Sequence, residues 1–322
     1  MLKQQTLAVA GFEKYAKTTR RATFLAEMER VVPWGPLCAL IEPVYPKPGN
    51  GRPPVGLERM LRIYFLQHWF NLSDPAVEEA LYESVSMRSF VGIDLGREPV
   101  PDETTVCKFR HLLEAHELGR GLFEEVGRYL QAQGLKVSSG TIVDATLINA
   151  PSSTKNAQGA RDPQMHQTQK GNQWYFGMKA HVGVDSKTKL IHSAAVSAAN
   201  VHDKHMLPYL LHGAERRVYG DSAYAGQGLA LKQAAPHARD FTQVRAARYR
   251  QLTQAERAAN RTKSRVRAKV EHAIGVIKRI FGFAKVRYRG LRKNANRVWV
   301  ACALANLFMV RRTLLRTRHS YA

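Results

Sequence analysis

Three carboxylates stand where an acid has no ordinary structural use. Asp144 lies inside Thr141-Ile-Val-Asp-Ala-Thr146, an apolar, β-branched run. An ionised acid in a strand meant for a core is costly unless something pairs it. The partner could be a bound cation, or backbone N–H groups or an arginine. Asp221 follows the short apolar run Arg217-Val-Tyr-Gly220 and opens the small-residue turn Ser222-Ala-Tyr-Ala-Gly226. Glu271 is one of two acids between Arg245 and Arg297, a window holding 17 Lys/Arg. It could pair with Arg267 one turn earlier, or it could be a ligand. Hard oxygen ligands of this kind suit Mg²⁺ or Mn²⁺. Two such ions, about 3.5–4 Å apart, activate an oxygen nucleophile and stabilise the leaving oxygen of a phosphodiester.

The other acids of residues 137–322 have everyday readings. Asp162 precedes a proline, Asp185 sits in a hairpin turn, Asp203 reads as an N-cap, and Glu215, Asp240 and Glu256 fall on surface segments. His202 and His205 are spaced for one helix face without a nearby third ligand, so they read as structural. Cys38, Cys107 and Cys302 are too scattered for a zinc cluster and read as packing residues.

Charge points to the partner. The net charge is +23, yet residues 1–136 carry 17 Lys/Arg against 17 Asp/Glu, while residues 137–322 carry 32 against 9. A neutral half joined to a strongly basic one implies a polyanion, most simply nucleic acid, with acidic lipid as the competitor. No apolar stretch of signal-peptide type opens the chain. The run Val298 to Val310 is too short to span a bilayer and contains Asn306. The expectation is a soluble, cytoplasmic protein with no membrane partner.

Several elements must position the three acids. A basic, helix-compatible lead ends in Tyr45-Pro-Lys-Pro-Gly-Asn-Gly-Arg-Pro-Pro54, which excludes regular structure. Helices then follow from Leu57, from Pro75 with Asp74 as cap, and from Glu103 with Asp102 as cap. Thr104, Thr105, Lys108 and Arg110 lie on the last of these, in a helix-turn-helix-compatible arrangement. Beyond a boundary near residue 136, Asp144 lies in one strand. A polar stretch from Pro151 to Asn172 separates it from a hairpin built from Trp174 to Val184 and Leu190 to Val196. A helix over Asp203 to Leu211, short strands at Arg217 to Gly220 and Phe241 to Val244, and a long basic helix from about Arg261 complete the reading. At about 100° per residue, Arg267, Glu271 and Lys278 share one face of that helix.

The chain resembles bacterial insertion-sequence transposases of the IS-five family. The carrying motifs are Asn71-Leu-Ser-Asp-Pro75, Pro101-Asp-Glu-Thr-Thr105, Val143-Asp-Ala-Thr146, Arg161-Asp-Pro163, Gly171-Asn-Gln-Trp174 with Phe176-Gly-Met-Lys-Ala-His181, and Arg267-Ala-Lys-Val-Glu-His272 with Ile277-Lys-Arg279. The resemblance implies an α/β chain: a helical N-terminal domain over 1–136, then an RNase H-like mixed-sheet catalytic domain over 137–322. It implies Asp144, Asp221 and Glu271 as a catalytic, metal-binding triad holding two Mg²⁺ or Mn²⁺ ions. The candidate DNA-contact residues are Arg267, Lys278, Lys179, Lys108 and Arg110. The family's third-acid signature expects a Tyr where this chain has Ser264. The implied partners are double-stranded DNA, both terminal inverted repeats and target, and a second copy in a synapse. A nuclease on the same fold without strand transfer, or a DNA-binding regulator with a decayed triad, are the alternatives.

Overall fold

The structure is a computed structural model that describes residues 17–319 except 52, 136, 158, 247 and 248. The helix-compatible lead before residue 17 lies outside the described residues. The first half is helical: α1 (Arg20–Val31), α2 (Trp34–Ile41), α3 (Leu57–Trp69), α4 (Asp74–Glu83), α5 (Val85–Val91), α6 (Glu103–Ala115) and α7 (Leu118–Ala132). Side-chain caps set several of their starts. Asp102 accepts the Thr105 N–H at 2.7 Å and starts α6 where the sequence predicts. Ser73, not Asp74, caps α4; Asp74 is its first helical residue and is free to turn inward. In α7 the four-residue spacing of Leu122, Val126 and Leu130 buries one face.

The second half forms a mixed sheet. Its strands are β1 (Gly140–Asn149), β2 (His166–Lys170), β3 (Gln173–Asp185), β4 (Ile191–Ala198), β5 (Arg217–Tyr219) and β6 (Arg239–Asp240), ordered β2-β3-β1-β5-β6 with β4 also paired to β3. β1 and β3 run antiparallel over nearly their full length, whereas β5 and β6 join in parallel. The sheet half departs from the sequence reading in three places. β2 falls inside the stretch expected to be irregular; its polar residues face solvent and only pairing with β3 makes it a strand. The strand expected at Phe241 to Val244 is instead two residues at 239–240, although Phe241 and Gln243 still donate to the Val218 and Gly220 carbonyls. The predicted helix after Asp203 is a 3₁₀ segment, Asp203–Leu210, with Pro208 inside it.

The basic helix is not one helix. α8 (Gly228–Ala234) precedes it; α9 runs from Gln254 to Arg267, opened by a capping box between Thr253 and Glu256. The chain then breaks at Ala268 and Lys269, resumes as α10 (Val270–Gly275), and ends in a π turn, Val276–Ile280. Arg267, Glu271 and Lys278 therefore do not form the continuous stripe expected of an unbroken helix. α11 (Leu291–His319) closes the chain.

By length and composition Leu291–Arg316 passes as a membrane span, longer than the apolar run alone suggested, yet 61% of its apolar window is buried inside the fold. It packs on α7, β4 and α1. Its buried amides are used internally: Asn306 bonds both the N–H and the carbonyl of Ile191, and Asn296 accepts the Gly119 N–H at 2.7 Å. A Cβ at Gly119 would lie 2.3–2.7 Å from Asn296, so only glycine permits that approach. One hydrophobic core thus runs from Leu25 to Leu314 through both halves of the sequence. A smaller one, with Val143, Val218 and Tyr224, lies under the acid-bearing strands.

Candidate active site

Alternation along β1 sends Val143 into the smaller core and Asp144 into a cleft of about 440 Å³. β5 lies parallel to β1 with Ile142 opposite Tyr219, so the chain leaving β5 brings Asp221 to the same cleft. α10 packs on β1 and contributes Glu271. The three acids singled out in the sequence thus line one cleft, together with Lys170, Lys179, Asp203 and Arg267.

Both bland readings of Asp144 are realised at once. Its carboxylate accepts the Ala145 N–H at 2.9 Å and the Arg267 guanidinium at 3.0 Å. Burial still pushes its carboxyl up to about 6; Asp221 and Glu271 add to the rise, while the Ala145 bond and Arg267 oppose it. Arg267 therefore serves Asp144, 123 residues away, rather than Glu271. Its Nε is buried without a partner. Asp221 caps the turn Ser222–Tyr224 by accepting the Ala223 N–H at 2.9 Å, which uses one oxygen and leaves the other.

Among the described residues no three His, Cys, Asp or Glu side chains converge closely enough to hold a metal ion as they stand. The chemistry of the donor set nevertheless fits a hard divalent cation. Asp144 is held toward its protonated form partly by the other two carboxylates, and a cation relieves that repulsion.

The cationic residues divide. Lys179 is committed, donating to the Val201 carbonyl at 2.9 Å and to Asp203 at 2.8 Å. Lys278 donates to the Leu147 carbonyl at 2.9 Å, and its ammonium is held below the usual lysine range by burial, then by Lys170 and Arg279 nearby. Lys108 is exposed on α6. Arg110 is not available to DNA. It is buried between Asp74 at 2.8 Å and Glu114 at 3.1 Å, with its guanidinium 4.2 Å from the Tyr288 ring. The connection from α5 to α6 is eleven residues (92–102), far longer than the three or four of a helix-turn-helix.

Sequence reasoning missed Asp203 and misplaced Glu215. Asp203 is a cleft residue paired with Lys179, not the cap of its segment, which is His202. No signal in the sequence marks it: Lys179 lies opposite Ser197 in the β3–β4 pairing, and only that register brings the chain just past β4 to the cleft. Glu215 is fully buried, accepting the His212 and Gly213 N–H groups.

The fold and cleft define a mixed α/β protein with clustered carboxylates set in a strongly basic half. Residues 136–307, more than half of the chain, match the family described as the transposase DDE domain, and the chain belongs to that family. Residues 13–112 match a second family, described as transposase domain (DUF772). A solved structure, the cryo-EM synaptic complex of piggyBac transposase with hairpin DNA, is similar at 11% identity over 91% of this chain and 73% of that one, with a TM-score of 0.45.

Proposed function

We propose that this protein is an insertion-sequence transposase, of the IS-five type, that cleaves transposon ends by phosphodiester hydrolysis and joins the freed 3′-hydroxyl to target DNA. The observation that supports it best is that the region matching the DDE family brings Asp144, Asp221 and Glu271 to a single cleft. In this reading the sheet is RNase H-like: an antiparallel β1–β3–β4 group extended in parallel by β5 and β6. Asp144, Asp221 and Glu271 would hold the divalent ions, which supply charge stabilisation for the attacking and leaving oxygens.

The chain's own residues prepare the cleft. Arg267 holds Asp144 in place and offsets part of its charge. Lys170 in the cleft wall and Arg279 both lie close enough to Lys278 to repel its ammonium, and a DNA phosphate would relieve that repulsion. Two copies act together in a synapse joining two ends. The working partner is double-stranded DNA bearing terminal inverted repeats, met in the cytoplasm at the nucleoid.

Nicking of an end duplex in Mg²⁺ tests this. Asp144→Asn, Asp221→Asn and Glu271→Gln are each expected to lose nicking by at least a hundredfold while retaining end binding. Full nicking by any of them would remove that acid from the site. Covalent joining to a second duplex separates a transposase from a nuclease.

A further inference from the structure

We propose that the protein has a second DNA-backbone site, in a basin at the starts of β1, β5 and β6, away from the acid-lined cleft. The basin measures about 910 Å³ and its walls include Lys187, Arg216, Arg217, His237 and Arg239. Lys187, Arg216, Arg217 and Arg239 are exposed, and among the described residues none has an ion-pair partner. Lys269, in the break between α9 and α10, donates to the Ser186 carbonyl at 2.7 Å and brings a further cation to the rim.

The nearest acids are turned away from the basin. Glu215 is fully buried and accepts two backbone N–H groups and the Thr141 hydroxyl. Asp185 is equally buried and accepts the N–H groups of Ser138, Lys187 and Thr188. Asp240 follows Arg239 in β6, so the two side chains point to opposite faces. Four like charges around one concavity repel each other until an anion enters. Ser139, Gly140 and Ala214 in the wall leave a phosphodiester chain room to approach.

The basin and the cleft are separate. Gly140 pairs with Arg217, and Asp144 lies four residues further along β1, about 13 Å at the usual rise of a strand. A scissile phosphate at Asp144 therefore leaves the basin to other phosphates. These belong either to the flank of the same duplex or to a second duplex. The choice between those sources rests on the transposase reading; the binding of backbone does not.

The test uses the full chain with Arg216, Arg217 and Arg239 all changed to Ala, and the same three changed to Lys. Affinity for duplex DNA is measured against salt, first with long and short end duplexes, then with a second labelled duplex added to protein already saturated with ends. The Ala variant should show a slope of log affinity against log salt about three units shallower than the parent, and the Lys variant should keep the parent slope. Loss confined to the long end duplex identifies flanking DNA; loss confined to the added duplex identifies a second one. Unchanged slope and affinity in every arm overturn the proposal, as does equal loss in the Ala and Lys variants. So does loss of binding to phosphatidylserine vesicles with DNA binding intact. If the parent binds DNA but never nicks it, the catalytic reading fails while the slope still decides the basin.

Discussion

Ionising Asp144 opposes folding, because its carboxyl is raised from the ordinary 3.8 to about 6 in the folded chain, first by burial. Between those pH values the unfolded chain has released the proton and the folded chain retains it. Stability therefore falls as pH rises from about 4 to about 6 and stays lower above that. The size is on the order of 3 kcal/mol. Asp144→Asn imitates the protonated acid, so its urea stability should decline less than the parent's between pH 4 and pH 7, by about that amount; parallel curves would contradict the assignment. Arg110 makes the opposite case. Arg110→Ala strands Asp74 and Glu114 and should cost about 3–5 kcal/mol in denaturant melts, with no change in the salt dependence of DNA binding. The cleft acids Asp144, Asp221 and Glu271 stood out because none reads as the turn, cap or surface residue that the other six acids of residues 137–322 do. The partners did not: Arg110 meets Asp74 across 36 residues and Lys179 meets Asp203 across 24, distances that no local spacing encodes.

Elements were legible where the chain carries its own punctuation. Caps at Asp102 and the turn at Asp185 mark their boundaries directly. The break at Ala268 and Lys269 carries neither Gly nor Pro, so the sequence runs on as one helix and only packing divides it. What fixes the chain after that break is Asn71. Its side chain donates to the Gly282 carbonyl at 3.0 Å and accepts from Arg287 and from buried Arg297. Gly282 stands at φ 68°, within 3.4 Å of Asn71 were a Cβ present, so neither partner can be enlarged freely. On its other side the segment pairs with Asn149 at the end of β1, the Asn149 N–H donating to Ala284 and Val286 donating back. Asn71→Ala removes the three side-chain bonds to Gly282, Arg287 and Arg297 and leaves an alanine at φ 52°. The expected loss is on the order of 3 kcal/mol. Asn71→Gly relieves only the backbone and should fall between parent and Ala variant in thermal melts; equal melting of all three would exclude Asn71 from the seam.

At the scale of the whole molecule, charge and packing divide the chain differently. The charge boundary near residue 136 is legible by counting, since only the second half has an excess of cations. The packing boundary is not, because α11, last in the basic half, lies against α7 and α1 of the neutral half as well as β4. Its ties reach both ways: Asn296 to Gly119, Arg311 to Glu27 at 2.8 Å, and Asn306 to Ile191. Separating the halves takes α11 off α7, parts Phe123 from Trp299 and leaves the Gly119 N–H without its acceptor. Helices of this length keep little structure in water without a packed face. Residues 1–136 expressed alone should therefore lack a sharp thermal transition, while the full chain unfolds in a single step. A cooperative melt with native-like helical circular dichroism from the isolated fragment would show that α11 is dispensable to the helical half.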